Sequence, residues 1–230
     1  RPYDVAGWTL PYLMGVKCFQ IDKPFSLDAT LLDNPNYPEG KVISFEGKYF
    51  ISQSGPNANA ILINRLHKEN IPVFWLQKKL EVNNMLFKEG SVVFPVTDKS
   101  KKIIDKLASD LYLKFYSLKE IDESLIKKIK KVRIGLYKPF TANMDEGWTR
   151  LLLENFEFDF KSLENKDFKQ EKLKEKVDVI IIPEMSSELI KDGKPSGENA
   201  RFYRPKPPEY EGGIGKDGIE NLKRFVEKDG

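Results

Sequence analysis

The stretch VRIGLYKPFTANMDEGWTRLLLENF, residues 132–156, decides the fold of this chain. Its first residues, Val132 to Tyr137, predict a buried β-strand, and an amphipathic helix is predicted to begin near Asp145. A strand that leads through a loop into a helix is the first half of a βαβ unit. In open α/β sheets, ligands usually bind at the loops that follow the carboxyl ends of the parallel strands. The loop after Tyr137 is therefore the first place to look for a site.

Three polar residues near the start of this helix form the first candidate ligand site: Asn143, Asp145 and Glu146. An Asx side chain at a helix start accepts hydrogen bonds from backbone N–H groups, and acidic residues there interact favourably with the helix dipole. A general acid–base pair would instead need one carboxylate in an apolar setting that raises its pKa. We favour the structural interpretation, in which Trp148 packs into the core and fixes the helix start.

The rest of the second half of the chain continues the α/β pattern. Residues 157–163 alternate like a strand, and residues 177–183, VDVIIIP, predict a central parallel strand covered on both faces. Gly212, Gly213 and Gly215 precede a predicted helix over residues 216–228 and form the second candidate ligand site, since a helix N-terminus favours anions. Their spacing matches neither the dinucleotide fingerprint nor the nucleotide-binding loop. A flexible turn is the favoured interpretation, and a ligand contact is the alternative.

Residues 17–130 predict a small α/β domain with a mixed sheet, and the domain boundary is placed near Lys131. The predicted elements are a hairpin over 41–52, a helix capped by Asn57, a strand over 71–76, an extended segment ending in a strand over 91–96, a helix capped by Asp98 or Ser100, and a strand over 113–118.

Composition excludes several classes of function. The 38 basic and 35 acidic residues nearly cancel, which argues against a nucleic-acid partner. No apolar run approaches the length of a membrane span. Cys18 is the single cysteine and His67 the single histidine, so neither a cysteine-rich metal site nor a site with two histidines is expected. The sequence predicts no complete catalytic set.

The ends of the chain lead to two further expectations. The first residue is Arg1 and not Met, so the chain is expected to be an excised piece, with residues 1–16 as a joining segment. The chain stops directly after the last predicted helix, so residues 131–230 are expected to form an incomplete sheet domain.

Three stretches resemble one known family: RPYDVAGWTLPYLMGV (1–16), GLYKPFTANMDEGWTRLLLENFEF (135–158) and EYEGGIGKDGIENLKRFVEKDG (209–230). They are similar to the C-terminal region of bacterial zinc carboxypeptidase-like metallopeptidases, where a peptidase domain precedes a class I glutamine amidotransferase-like domain. The resemblance implies a flavodoxin-like, amidotransferase-like fold for residues 131–230. It also implies a secreted or cell-envelope location.

The resemblance implies that the catalytic residues lie elsewhere. The family's zinc site uses a His-x-x-Glu pair and a later histidine, whereas His67 is followed by Lys68, Glu69 and Asn70. Zinc is therefore expected only in the catalytic peptidase domain of the same polypeptide, which is the expected partner, with a peptide substrate as a further partner. Two alternatives stay open: a stand-alone small-molecule-binding or amide-hydrolysing module, and a glycan- or peptide-binding surface that uses Tyr203, Arg204 and Tyr210.

Overall fold

A computed structural model of the chain describes residues 17–34, 36–170 and 172–227. The predicted joining segment, residues 1–16, lies outside the described residues. The strands are β1 (Lys41–Val42), β2 (Tyr49–Ser52), β3 (Phe74–Leu76), β4 (Leu80–Val82), β5 (Met85–Phe87), β6 (Val92–Pro95), β7 (Lys114–Leu118), β8 (Ile126–Lys128), β9 (Ile134–Tyr137), β10 (Phe160–Leu163) and β11 (Val179–Ile181). The α-helices are α1 (Ala58–Lys68), α2 (Asp98–Leu111), α3 (Met144–Asn155), α4 (Asn165–Phe168), α5 (Leu173–Lys176), α6 (Ser187–Asp192) and α7 (Gly215–Glu227). Short 3-10 helices cover Glu123–Leu125, Gly197–Phe202 and Pro208–Tyr210.

The described residues form a mixed α/β structure with a mixed six-stranded sheet, a parallel three-stranded sheet and a two-stranded sheet. They fall into two units, and the first comprises those up to Asn59 together with Phe74–Lys127. The second unit comprises Ala60–Val73 and the described residues from Lys128 onward. The division into domains 17–130 and 131–230 stays a prediction.

The first unit is built on a six-stranded sheet with the order β1-β7-β2-β6-β3-β8. β1 runs parallel to β7, and β2 runs antiparallel to both β7 and β6. The predicted hairpin over 41–52 is therefore wrong, because β7 lies between β1 and β2. A hairpin does form from β4 and β5, and its turn residues Asn83 and Asn84 have φ of 51° and 60°. Asparagine tolerates this left-handed conformation better than most residues, which favours the tight turn.

The N-cap of α2 differs from the prediction by one residue. Thr97 is the cap, and its side chain accepts a hydrogen bond from the backbone N–H of Ser100. The Ser100 hydroxyl accepts one in return from the Thr97 N–H at 2.8 Å. This is a capping box. Ser100, one of the two predicted caps, is thus the second partner of the box.

The second unit contains a three-stranded parallel sheet with the order β10-β9-β11. β9 is the central strand and pairs with both neighbours, Ile134 lying opposite Phe160 on one side and Val179 on the other. The prediction that 177–183 form the central strand is not met in the described sheet, because β11 is at its edge and Val179 is exposed. The hydrophobic run indicated burial but could not assign strand order.

Side-chain alternation along β9 separates the two faces of this sheet. Ile134 and Leu136 pack with Leu153 of α3 on one face. The opposite face holds a larger cluster that includes residues from α4 and α5: Tyr137, Leu163, Phe168, Leu173, Val177 and Ile214. Ile219, Leu222 and Phe225 of α7 pack against it. Helices that cover both faces of a parallel sheet are the arrangement expected for such strands.

Residues 17–34, here called the arm, contain no helix or strand, and each of them is exposed. Six large hydrophobic side chains of the arm are between 62% and 89% exposed: Phe19, Ile21, Phe25, Leu27, Leu31 and Leu32. Single exposed hydrophobic residues are ordinary on protein surfaces, but six of them in one short segment are unusual.

Candidate functional site

The first predicted site, at the start of α3, is a helix cap. The Asn143 Oδ1 accepts a hydrogen bond from the Glu146 N–H at 2.7 Å. Its Nδ2 donates to the Glu184 carbonyl oxygen at 3.0 Å, which joins the helix start to the loop after β11. Both polar atoms of the Asn143 side chain are therefore used in hydrogen bonds to the backbone.

The two carboxylates beside this cap lie in different environments. Glu146 is buried and forms an ion pair with Arg150, whose Nε lies 3.1 Å from Glu146 Oε1. Arg150 also donates to the Ser162 hydroxyl at 2.8 Å and lies over the Phe160 ring. Asp145, in contrast, is exposed. The structure thus shows one carboxylate paired with an arginine and one carboxylate exposed to water at this position.

The position of Trp148 contradicts the prediction that it packs into the core. The side chain is 60% exposed. Successive residues of an α-helix are rotated by about 100°, so Trp148 lies opposite the buried side that carries Glu146 and Leu153. The apolar character of Trp148 indicated burial, but the buried side of α3 carries Glu146 and Leu153 instead.

Close contact between two backbones accounts for two glycines near the second predicted site. A Cβ on Gly213 would lie 2.2 Å from the Ile190 carbonyl oxygen, and a Cβ on Gly193 would lie 2.3 Å from the Gly212 carbonyl carbon. The Ile214 N–H donates to the same Ile190 oxygen at 2.9 Å. Gly212 and Gly215 have φ of 86° and 71°, in the left-handed region that glycine adopts without strain. The turn interpretation therefore explains these glycines.

A buried polar chain connects this glycine turn to the end of β9. The Tyr137 hydroxyl donates to Asn165 Oδ1 at 2.7 Å, and Asn165 Nδ2 donates to the Gly212 carbonyl oxygen at 2.9 Å. Burial raises the pKa of Tyr137 to about 12. A crevice beside these residues, also bordered by Phe140 and Lys206, offers about 10 Å³. That is about the space of one water molecule, so this conformation does not admit a larger ligand.

The two predicted sites do not meet at this crevice. Gly212 borders it, whereas Asn143, Asp145 and Glu146 are not among its lining residues.

A larger groove in the first unit was not predicted from the sequence. It has a volume of about 880 Å³, within the range of small-molecule sites. Half-buried Met85 and Tyr116 border it together with buried Phe87 and Leu118, and polar residues add to its lining. Its lining residues are Ile43, Ser44, Glu46, Val82, Asn83, Met85, Phe87, Tyr116, Ser117, Leu118, Lys119 and Glu120. The Asn83-Asn84 turn was the available sequence signal, because it places the β4–β5 hairpin beside the groove.

No metal site emerges from the described part of the chain. Within it, no group of three or more His, Cys, Asp or Glu side chains could hold a metal ion. Burial lowers the pKa of His67, which favours the neutral imidazole. Among the described residues, no helix has the length and apolar character needed to cross a membrane.

Tyr203 and Tyr210, the aromatic residues of the predicted glycan- or peptide-binding surface, contact different neighbours. Tyr203 donates a hydrogen bond to Glu211 at 3.2 Å, and Tyr210 packs edge-on against Phe140 at 5.6 Å between ring centroids. Arg204 is exposed.

Comparison with protein-family models, curated proteins and solved structures found no match to this chain.

Proposed function

We propose that this chain is a non-catalytic accessory region of a zinc carboxypeptidase-like metallopeptidase, and that it packs on the catalytic domain of the same polypeptide. The observation that carries the proposal is the exposed apolar arm, residues 17–34. Burying one large aliphatic or aromatic side chain contributes about 1.5–3 kcal/mol, so six such residues in water favour association with another surface. The sequence resemblance is what supports the peptidase domain as that surface.

The arm has the pattern of a β-strand that pairs with another sheet. Phe19, Ile21, Phe25 and Leu27 occupy odd positions, with Lys23 as the one polar interruption, whereas Gln20, Asp22, Ser26 and Asp28 occupy even positions. This alternation is typical of a strand with one buried and one solvated face. Pro24 lacks an N–H and also sits at an even position, where it cannot donate to a neighbouring strand. The backbone N–H and C=O groups of the odd residues would therefore make the hydrogen bonds to the partner's sheet. The arm thus becomes an edge strand of its partner.

Two features of the second unit fit an accessory role. The predicted ligand residues near Asn143 and Gly213 form a cap and a close-packed turn, and the crevice that Gly212 borders offers about 10 Å³. The parallel order β10-β9-β11 supports a flavodoxin-like, amidotransferase-like fold, since such sheets begin with the order 2-1-3. We assign this unit to packing on, or regulating, the catalytic domain.

The test is a calorimetric titration of the chain with the catalytic domain encoded upstream in the same reading frame. Wild-type chain is expected to bind, and Phe25→Ser with Leu27→Ser is expected to weaken binding by at least about tenfold. Leu86→Ser, an exposed residue of β5, is the matched control and is expected to bind like wild type. A reading frame without a His-x-x-Glu segment, or absence of binding, refutes the proposal.

Hydrolysis assays address the non-catalytic part of the proposal. The purified chain is incubated with peptide and amide substrates, with and without zinc. No turnover is expected in either case. Turnover by the chain alone would show that it is an enzyme in its own right.

A second candidate function, small-molecule or peptide binding, is supported by the groove beside Met85 and Tyr116. A bound apolar group would contact Met85, Phe87 and Tyr116, while Glu46 offers a carboxylate to a positively charged end. Glu120 is already paired with Lys48 at 3.2 Å. Nuclear magnetic resonance titration with an acetylated Phe-Leu-Lys tripeptide tests this. Shifts confined to groove residues, and lost in Met85→Ser, support binding. Shifts absent or spread over the surface reject this ligand class.

A further inference from the structure

Residues 194–211, here called the strap, connect α6 to α7 beside the crevice at the end of β9. The two ends of the strap lie side by side. A Cβ on Gly193 would lie 2.3 Å from the Gly212 carbonyl carbon, and the Ile214 N–H donates to the Ile190 carbonyl oxygen at 2.9 Å. A surface segment whose ends are held together in this way is typical of an Ω-loop, a structure that is frequently functional.

Two side-chain contacts join the strap to the loop after β9. The Lys206 Nζ donates a hydrogen bond to the Thr141 hydroxyl, and the Tyr210 ring packs edge-on against Phe140 at 5.6 Å between ring centroids. Lys206, Thr141 and Phe140 all line the crevice. The contacts that hold the strap against this loop therefore also form part of the crevice wall.

The strap itself contributes little to the core of the second unit. Among the strap side chains that the structure describes, none is buried. The N–H groups of Tyr203, Tyr210 and Glu211 donate to carbonyl oxygens only three residues earlier, within the strap. Ser196 adds a side-chain hydrogen bond to Glu188 of α6. A segment with few buried contacts and exposed local hydrogen bonds opens at a low cost in free energy.

From these observations we propose that the strap is a lid, which swings away from the loop after β9 while its two ends stay in place. Gly193 and Gly212, with φ of 68° and 86°, are the hinges, because glycine changes its backbone angles at low steric cost. Withdrawal of Lys206 and Tyr210 removes one wall of the crevice.

The position of the strap gives this movement a consequence. In the closed conformation the crevice offers about 10 Å³, which is about the space of one water molecule. In open α/β sheets, ligands usually bind beyond the carboxyl ends of the strands, and the crevice lies at that end of β9. The lid therefore controls access to Tyr137 and Asn165, which line the crevice. This inference goes beyond the proposed accessory role and does not depend on it.

The experiment measures how fast iodoacetamide alkylates a cysteine placed in the crevice. Met185 lines the crevice and is half-buried, so Met185→Cys is made together with Cys18→Ser, which removes the exposed native thiol. Tyr210→Ala removes the ring contact and is expected to raise the alkylation rate about 2–10-fold. Lys206→Met keeps the aliphatic stem, removes the hydrogen bond and is expected to raise the rate at least about twofold.

Two controls separate opening of the strap from a general loss of stability. Tyr37→Ala removes a different exposed ring pair, in which Tyr37 stacks on Tyr112 at 4.8 Å, and is expected to leave the alkylation rate unchanged. Hydrogen exchange measured by mass spectrometry is expected to become faster over residues 194–211 in Tyr210→Ala and to stay unchanged in β9 and α7.

Three outcomes would overturn the inference. The first is an alkylation rate that neither Tyr210→Ala nor Lys206→Met changes, and the second is an equal acceleration by Tyr37→Ala. The third is acceleration together with faster hydrogen exchange in β9, because the thiol would then be reached through unfolding of the sheet. If Met185→Cys does not fold, Leu189→Cys takes its place, since Leu189 also lines the crevice.

Discussion

Arg65 binds Glu157 through two of its nitrogen atoms across 92 residues of sequence, with Nε and Nη2 lying 3.1 and 2.7 Å from the Glu157 Oε1. The neighbouring Asn64 Nδ2 donates to the Phe156 carbonyl oxygen at 2.8 Å. Glu157 has a φ of 57°, which is uncommon for a residue with a side chain. These contacts from α1 hold the chain in that conformation directly after α3.

The first prediction concerns the stability supplied by Arg65. Both side chains of the pair are 29% exposed, so water screens the interaction only in part. Arg65→Met keeps the aliphatic stem and removes the donors, and is expected to lower the free energy of unfolding by about 1–2 kcal/mol. Urea denaturation measures this. Lys223→Met removes an exposed ion pair with Glu220 and is expected to change stability by less than about 0.5 kcal/mol. Equal effects would contradict the prediction.

The same pair predicts a specific dependence on acid. Hydrogen bonding from Arg65 holds the pKa of Glu157 below its ordinary value of 4.5. A carboxylate whose pKa is lowered by folding stabilises the protein above its unfolded pKa and loses that contribution as the pH falls through the folded pKa. The stability difference between wild type and Glu157→Gln is therefore expected to be constant near neutral pH and to shrink below pH 4.5. A difference that is unchanged at pH 3 would exclude this linkage.

The sequence predicted local structure better than long-range partners. The strand–loop–helix unit from β9 to α3 and the Asx cap depend on neighbouring residues, and both are observed. The Arg65–Glu157 pair joins distant segments, and no local pattern marks either residue. The prediction of a central position for β11 was wrong for the same reason. The hydrophobicity of β11 indicates burial but does not show which strands lie beside it.

The candidate site was predictable only as a choice between two interpretations. Asn143 was identified correctly as a residue of the helix start, but the burial of Glu146 depends on Arg150 and on Ser162 of the next strand. Trp148 was assigned to the core because apolar residues on both sides of α3 leave the buried side undetermined. The groove beside Met85 brings together residues far apart in sequence, which pattern alone does not reveal.

The third prediction separates a cap from a catalyst at the start of α3. Asn143→Ala is expected to cost about 1–2 kcal/mol of unfolding free energy, because it leaves helix N–H groups without their acceptor. Glu146→Gln is expected to cost about 1–3 kcal/mol through the loss of the Arg150 pair. Asp145→Asn is exposed and should change stability by less than about 0.5 kcal/mol. Thermal unfolding of the three variants tests the order. A loss of any activity in Asp145→Asn at unchanged stability would favour a chemical role.

The fourth prediction concerns alkaline pH and Tyr137. Burial raises the pKa of the Tyr137 hydroxyl to about 12, above the ordinary value of 10.0. The unfolded chain therefore releases this proton at lower pH than the folded chain, so stability is expected to fall as the pH rises from 10 toward 12. Tyr137→Phe should be less stable at neutral pH, since Asn165 Oδ1 loses its donor, and should lack this part of the alkaline decline. Denaturation at pH 8, 10 and 11 compares the two proteins.

The fifth prediction is that two glycine-to-alanine substitutions change stability in opposite directions. Gly147→Ala adds a methyl group that meets no described atom beyond its chain neighbours and its own helix backbone within 4 Å. It also removes the helix cost of glycine, so the free energy of unfolding should rise by about 0.5–1 kcal/mol. Gly213→Ala places a Cβ 2.2 Å from the Ile190 carbonyl oxygen, which is backbone and cannot move aside without displacing α6. It should lower stability by about 1–3 kcal/mol. Parallel urea titrations measure both. A stabilising Gly213→Ala would contradict the close-packed turn and reopen these glycines as a ligand site, whereas a destabilising Gly147→Ala would mean that the described fold requires this glycine.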